Sequence, residues 1–256
     1  LIAGFWGWLV GAAGRRPVAE SPKYRIPEGK IVYAVGDIHG RRDLLERSLD
    51  AIRAHAAKMP AAWLRRIVFL GDYIDRGPDS AGVIEYLLEH PFAEFSPTFL
   101  RGNHEQVMLD FFDAASPDPA WLNYGGVAAL ASYGIAAAGR SAESIRDEMR
   151  ARMPAMHLDF LRRTEFTKRV GGYLFVHAGI RPGVELERQR PQDLLWIREP
   201  FLSETKQFAF RIVHGHTITE YPDIRPNRIG IDTGAYASGV LTILALWGDK
   251  LDFIQT

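Results

Sequence analysis

The 256-residue sequence contains no cysteine. That absence removes a disulfide framework, a thiolate nucleophile and a zinc–thiolate site together, so any metal must be held by His, Asp, Glu or Asn. Net charge is missing as well, because 31 Lys and Arg balance 31 Asp and Glu. Without a basic field there is no bulk attraction for a nucleic acid, and no nucleic-acid partner is expected. Neither an internal repeat nor a low-complexity linker divides the chain. With 47% hydrophobic and 24% charged residues, disordered and collagen-like readings are excluded. The apolar run Leu1–Ala13, rich in Trp, Phe and Gly and ended by Arg15, Arg16 and Pro17, falls short of the roughly 20 residues that a bilayer span requires. Three readings of this run stay open: a segment docked on the body or a neighbour, an interfacial anchor using Phe5, Trp6 and Trp8, or the trimmed remnant of a signal or transmembrane segment. The expected location is cytoplasmic, with membrane contact through residues 1–26 as the alternative.

What is present is a repeated order of strand, polar loop and helix. Ile31–Val35 (IVYAV), Arg66–Leu70 (RIVFL) and Pro97–Leu100 read as buried strands ending near Gly36, Gly71 and Gly102. Leu44, Leu45, Leu49, Ile52 and Ala56 have helical spacing in Arg42–Lys58, and Ser80–Leu88 predicts a second helix. This βαβαβα pattern predicts a largely parallel buried sheet, whose ligands bind beyond the carboxyl ends of the strands. Residues 113–165 are Ala-rich with breaks at Pro117, Pro119 and Pro154, and read as a helical insertion. Strands are predicted at Arg169–Val176, Phe210–Val213, Arg228–Ile231, Val240–Trp247 and Lys250–Ile254, the last two joined at Gly248-Asp249. Together they predict a mixed second sheet, hence a two-sheet sandwich flanked by helices, with residues 27–256 forming one domain.

Five polar loops follow these strands: GDIHG (Gly36–Gly40), GDYIDRG (Gly71–Gly77), RGNHE (Arg101–Glu105), VHAG (Val176–Gly179) and VHGHT (Val213–Thr217). They present Asp37, His39, Asp72, Asn103, His177 and His216, a sulfur-free set suited to first-row ions. One Asp after a strand is usually a turn or helix cap, and one His is usually a satisfied polar residue. Five such loops, all at strand ends, are hard to read that way.

In this order GDxHG, GDxxDRG, GNHE and the later HAG and GH resemble the signature of the PPP-family metallophosphoesterases. That group includes bacterial-type serine/threonine protein phosphatases and their relatives, the symmetrical diadenosine tetraphosphate hydrolases. The resemblance runs from about Ile31 to the C-terminus and implies a calcineurin-like metallophosphoesterase fold, two mixed β-sheets in a sandwich flanked by helices. It implies Asp37 and His39 at a first divalent metal, Asp72 bridging, and Asn103, His177 and His216 at a second, with Mn expected and an Fe/Zn pair as the alternative. His216 rather than His214 is the expected ligand. A shared carboxylate holds two ions about 3.5–4 Å apart, and water activated there attacks phosphorus in line with the leaving oxygen. The resemblance further makes His104 the general acid, oriented by Asp75. A carboxylate fixing an imidazole's tautomer is sound chemistry in its own right.

Arg76, Arg101 and Arg198 are expected to bind phosphate oxygens, and Arg181 lies near a ligand too. Trp196 reads as core packing. The implied activity is phosphomonoester hydrolysis on a phosphorylated protein (Ser/Thr or Tyr) or a small phosphate ester. The same-chemistry alternative is a symmetrical dinucleoside polyphosphate hydrolase. From another class, the alternative is a catalytically silent phosphate-binding scaffold.

Overall fold

The computed structural model describes residues 24–89, 92 and 94–256. The expectations attached to residues 1–23, those for Phe5, Trp6 and Trp8 included, lie outside the described residues. Of the expected N-terminal segment, residues 24–26 are described: Ile26 is buried and its N–H donates to Gly248 O at 2.8 Å.

Three parallel strands come first: β1 (Lys30–Val35), β2 (Leu64–Phe69) and β3 (Ser96–Phe99). The connections carry helices α1 (Arg42–Ala56) and α2 (Ser80–Glu89), as parallel pairing demands. Alternation along β1 divides the core. Ile31, Tyr33 and Val35 face the cluster under the helices, with Leu45, Leu49 and Val83. Val32 and Ala34 face the opposite way, onto Phe175, Val213 and Ile229 of the second sheet.

The second sheet has the order β4 (Thr167–Val170), β5 (Tyr173–Val176), β6 (Arg211–His214), β8 (Arg228–Gly230), β7 (Asp223–Ile224). Its central strands β5, β6 and β8 run parallel, and both edges are antiparallel. The single strand predicted over 169–176 is a hairpin, turned at Gly171, where φ is 56° and a Cβ would lie 2.4 Å from Arg25 O.

The last hairpin, β9 (Thr242–Trp247) and β10 (Lys250–Gln255), belongs to the first sheet, not the second. Strand β9 pairs antiparallel with β1, giving the order β10-β9-β1-β2-β3. Its sequence explains the position: Thr242 to Leu246 are buried without alternation, as a strand covered on both faces must be. Strand β10 has no fully buried residue, only exposed and half-buried ones, as suits an edge.

The insertion is helical as expected. It holds α3 (Asn103–Asp113), a wide turn at Leu122–Gly126, α4 (Val127–Ser132), α5 (Ala142–Arg152) and α6 (Ala155–Arg162). Ser141 caps α5 by accepting from Ser144 N–H. Two short helices follow, α7 (Pro191–Trp196) and α8 (Ala235–Ser238). Among the described residues no helix is long and apolar enough to cross a membrane.

Candidate metal centre

The polar loops meet at the carboxyl ends of β1, β2, β5 and β6. Backbone bonds lace them together: His39 N–H donates to Asp72 O at 2.8 Å, Gly40 N–H to Tyr73 O at 2.8 Å and Gly215 N–H to His177 O at 2.8 Å. Glu105 adds a carboxylate clamp. It accepts the backbone N–H of Asp72, Tyr73 and Gly102 at 2.8 Å each, and that of Ile74 at 3.4 Å. Five non-glycine residues have φ between 46° and 70°: His39, Asp72, Asp75, Arg76 and His216. All five sit in these loops, where a costly left-handed backbone turns the side chains inward. The approach is close enough that a Cβ on Gly102 would lie 2.0 Å from Asp72 Oδ1.

Two donor groups form around Asp72: His39, Asp72 and His104 on one side, Asp72, His177 and His216 on the other. Asp72 Oδ2 lies 3.4 Å from His39 Nε2, and its Oδ1 lies 3.5 Å from His177 Nε2. Asn103 Oδ1 stands 2.8 Å from His177 Nε2 and 2.9 Å from His216 Nδ1. The far ring nitrogens are oriented by carbonyls: His39 Nδ1 lies 2.8 Å from Ile74 O, and His177 Nδ1 lies 2.9 Å from Leu70 O. Asp37 sits beside the pair, accepting the His216 N–H at 3.0 Å. His214, by contrast, points away to the Phe201 ring, with its Nδ1 near Gly215 O.

The electrostatics suit a cation. Burial, then the charges of Asp232 and Asp72, pushes the Asp37 carboxyl well up. At Asp72 burial works the same way, but the surrounding imidazoles, His177 first, outweigh it and hold the carboxyl below its usual range. Burial lowers His39 to about 3 and His216 to about 3, keeping both rings in the neutral form that ligates metals. Buried Asp37 Oδ1 and His216 Nε2 find no hydrogen-bond partner among the described residues. An orphaned buried acceptor is costly, and a divalent ion beside Asp37 would satisfy its Oδ1.

Next to the ligand-type residues is an acid–base pair. His104 Nδ1 lies 2.7 Å from Asp75 Oδ2, and Arg76 Nη2 lies 3.2 Å from His104 Nε2. Burial disfavours the charged His104 ring most, yet Asp72 and Asp75 together override it and raise its pKa above the ordinary 6.5. Arg76 also lies 4.9 Å over the Tyr236 ring. Arg198 follows α7 on the exposed rim, where its positive charge adds to burial in lowering His216 and His177.

Arg101 is not brought to the cluster, and its expected phosphate-binding role is corrected. Its guanidinium is spent on Thr164 Oγ1 at 3.0 Å, Gln106 Oε1 at 2.9 Å, and the Leu161 and Arg162 carbonyls at the end of α6. Arg181 likewise forms a bidentate pair with Asp193.

Two participants escaped the sequence reading. Asp232 is buried, pushed up to about 6 by burial, and accepts the Gly234 N–H at 2.9 Å. Its signal was available: IDTG places an Asp and a Gly directly after a strand, as the other loops do. Trp121 donates its indole N–H to Asp75 Oδ2 at 3.0 Å from within the insertion, and no local motif marks it.

The chain is similar to known proteins. The sequence model of the calcineurin-like phosphoesterase family matches residues 31–238. Serine/threonine-protein phosphatase 1 of Salmonella typhimurium is 32% identical over 217 residues, 83% of this chain and 90% of its own length. A symmetrical bis(5'-nucleosyl)-tetraphosphatase of Nitrosospira multiformis is 29% identical over 157 residues, 61% of this chain and 46% of its own length. The solved cold-active protein-tyrosine phosphatase of a psychrophilic Shewanella has a like fold, with a TM-score of 0.54 at 17% identity over 92% of this chain and 85% of that one. A matched span of this extent, carrying its polar loops to one end of a two-sheet sandwich, makes the chain a member of the calcineurin-like phosphoesterase family and a metal-dependent phosphoric ester hydrolase.

Proposed function

We propose that the chain is a protein phosphatase that removes the phosphoryl group from phosphoserine and phosphothreonine, with phosphotyrosine in reach of the same site. One observation carries the reading: the two oxygens of Asp72 face two different sets of imidazoles, the arrangement of a bridging carboxylate. Asp37, His39 and Asp72 would hold one divalent ion, and Asp72, Asn103, His177 and His216 the other, Mn in the first instance or an Fe/Zn pair. Bound there, such ions activate water for attack on phosphorus and offset phosphate charge.

The remaining work falls to side chains. Asp75 holds His104 by Nδ1, which turns Nε2 toward Asp72 and Arg76. From there His104 gives a proton to the leaving oxygen. A guanidinium has donors alone, so the Arg76–Nε2 contact exists only while Nε2 is unprotonated. Protonation of the ring releases Arg76 to bind phosphate, and Arg198 approaches from the opposite rim.

Coverage of nearly the whole Salmonella phosphatase, against less than half of the Nitrosospira tetraphosphatase, favours a phosphoprotein over a dinucleotide. A silent scaffold has no use for an intact His104–Asp75 pair. Metal-stripped protein is expected to lose turnover of para-nitrophenyl phosphate and to regain it with Mn²⁺, and Asp72→Asn to remove it. Unchanged turnover in Asp72→Asn would overturn the metal-centre reading. Hydrolysis of diadenosine tetraphosphate with none of a phosphopeptide would overturn the protein-phosphatase reading.

A further inference from the structure

A groove of about 410 Å³ lies between α3, the segment that follows it and the end of α7. That volume is within the usual range of ligand pockets, about 300–1,000 Å³. Its lining includes Phe111, Trp121, Tyr124 and Trp196 together with Asp110 and Asp118.

The groove adjoins the reaction centre at two points. Trp121 forms part of the wall while its N–H holds the Asp75 oxygen that orients His104. Trp196, expected as core packing, is half-buried, and its ring meets His216 edge-on at 6.1 Å. Through Trp121 and Trp196 the groove neighbours the cluster, within reach of a residue that flanks a phosphoryl group bound there.

The chemistry of the lining names what fits. Tyr124 is 53% exposed and Trp196 partly so, offering aromatic faces to a cation. Asp110 and Asp118 are exposed, and each accepts one hydrogen bond from a neutral donor, Gln106 Nε2 and Ala120 N–H. Among the described residues neither lies within ion-pair distance of a cation, though the charge of Arg101 acts on Asp110. A partly aromatic groove with two exposed carboxylates in its lining suits a long side chain with a planar cationic head, which is arginine before lysine. The same carboxylates repel an acidic flank or the further phosphates of a dinucleoside polyphosphate.

We propose that this groove is the specificity subsite of the phosphatase and takes an arginine close in sequence to the phosphorylated residue. The inference rests on the phosphatase reading above and adds the class of substrate.

The test is kcat/KM of the Mn²⁺-loaded full chain on phosphoserine peptides. Arg, Ala or Glu is placed in turn at each of the positions one to three residues before and after the phosphoserine. At one position at least, Arg is expected to exceed Glu by about tenfold, the equivalent of 1.4 kcal/mol. In Asp110→Asn/Asp118→Asn that ratio is expected to fall toward one. The ratio is the readout, and para-nitrophenyl phosphate, which has no flank, reports that each preparation is folded and loaded. A flat preference in the parent, or one that persists in the double variant, overturns the subsite while the phosphatase reading stands. No turnover of para-nitrophenyl phosphate by the loaded parent overturns both.

Discussion

The loops Gly71–Gly77 and Arg101–Glu105 both follow parallel strands of one sheet, yet they distribute their side chains in opposite ways. In the first, Asp72, Asp75 and Arg76 take left-handed backbone, and all three turn toward the centre. In the second, the chain enters α3 at Asn103 with right-handed geometry, so successive side chains fan out around the helix start. Asn103 goes to His177 and His216, His104 to Asp75, and Glu105 back to the first loop's N–H groups. Arg101, just before the turn, goes outward to α6. A reversed backbone concentrates function, whereas a helix start disperses it. Motif membership alone does not say which way an arginine points.

The fan sorts its members by what their loss should do. His104→Asn is expected to lower kcat by about 10²–10⁴-fold with folding retained, as loss of a general acid does; single-turnover kinetics beside a melting curve would separate the two. Glu105→Ala leaves four backbone N–H groups without their acceptor, three of them at 2.8 Å. At roughly 1–3 kcal/mol for each unsatisfied donor, denaturant unfolding should show a loss of about 3 kcal/mol or more. The arginines test the comparison itself. Arg76→Ala should cost kcat about 10²–10³-fold with little change in unfolding midpoint, as for a lost transition-state donor. Arg101→Ala should do the reverse, about 1–3 kcal/mol of stability with kcat nearly intact. Equal effects on kcat would erase the distinction between the two loops.

Proton inventory gives a finer measure. His104 acts in its protonated form, and its pKa is raised above 6.5 by Asp72 and Asp75 in spite of burial. A general acid works protonated, so turnover should fall as pH rises through the His104 pKa of the loaded enzyme. Asp75→Asn removes one of the raising charges, so the alkaline limb should move to lower pH; a limb that stays in place would detach Asp75 from His104. The smallest effect belongs to Trp121→Phe, which keeps the ring in place and deletes one hydrogen bond to Asp75. It should slow kcat about fivefold, for a bond worth about 1 kcal/mol.

These contrasts also explain what could be read from the letters. The β1, β2 and β3 strands and the helices between them were legible because their apolar period is local. The β9–β10 hairpin was legible as a hairpin but not as a member of the first sheet, since sheet membership depends on which distant edge is free, here that of β1. Asp37, His39, Asp72, Asn103, His177 and His216 could be picked out as candidates because their loops each follow a strand. Arg101 misled because its loop was right and its direction is set by Thr164, Leu161 and Arg162, some 60 residues away. Trp121 was silent for the same reason: its link to Asp75 is a contact across 46 residues.

The left-handed positions have a further consequence, for the alphabet the chain can use. Residues at ease with positive φ are few, chiefly Gly, Asn, Asp and His. Positions 39, 72, 75 and 216 hold His, Asp, Asp and His, so the letters that chemistry asks for are those the backbone already tolerates. Arg76 is the exception, held left-handed with its N–H on Gly125 O at 3.3 Å. Drift at the first four positions is confined twice over, by reaction and by geometry. At 76 the two demands disagree, and the neighbouring turn of the insertion has to keep the peace.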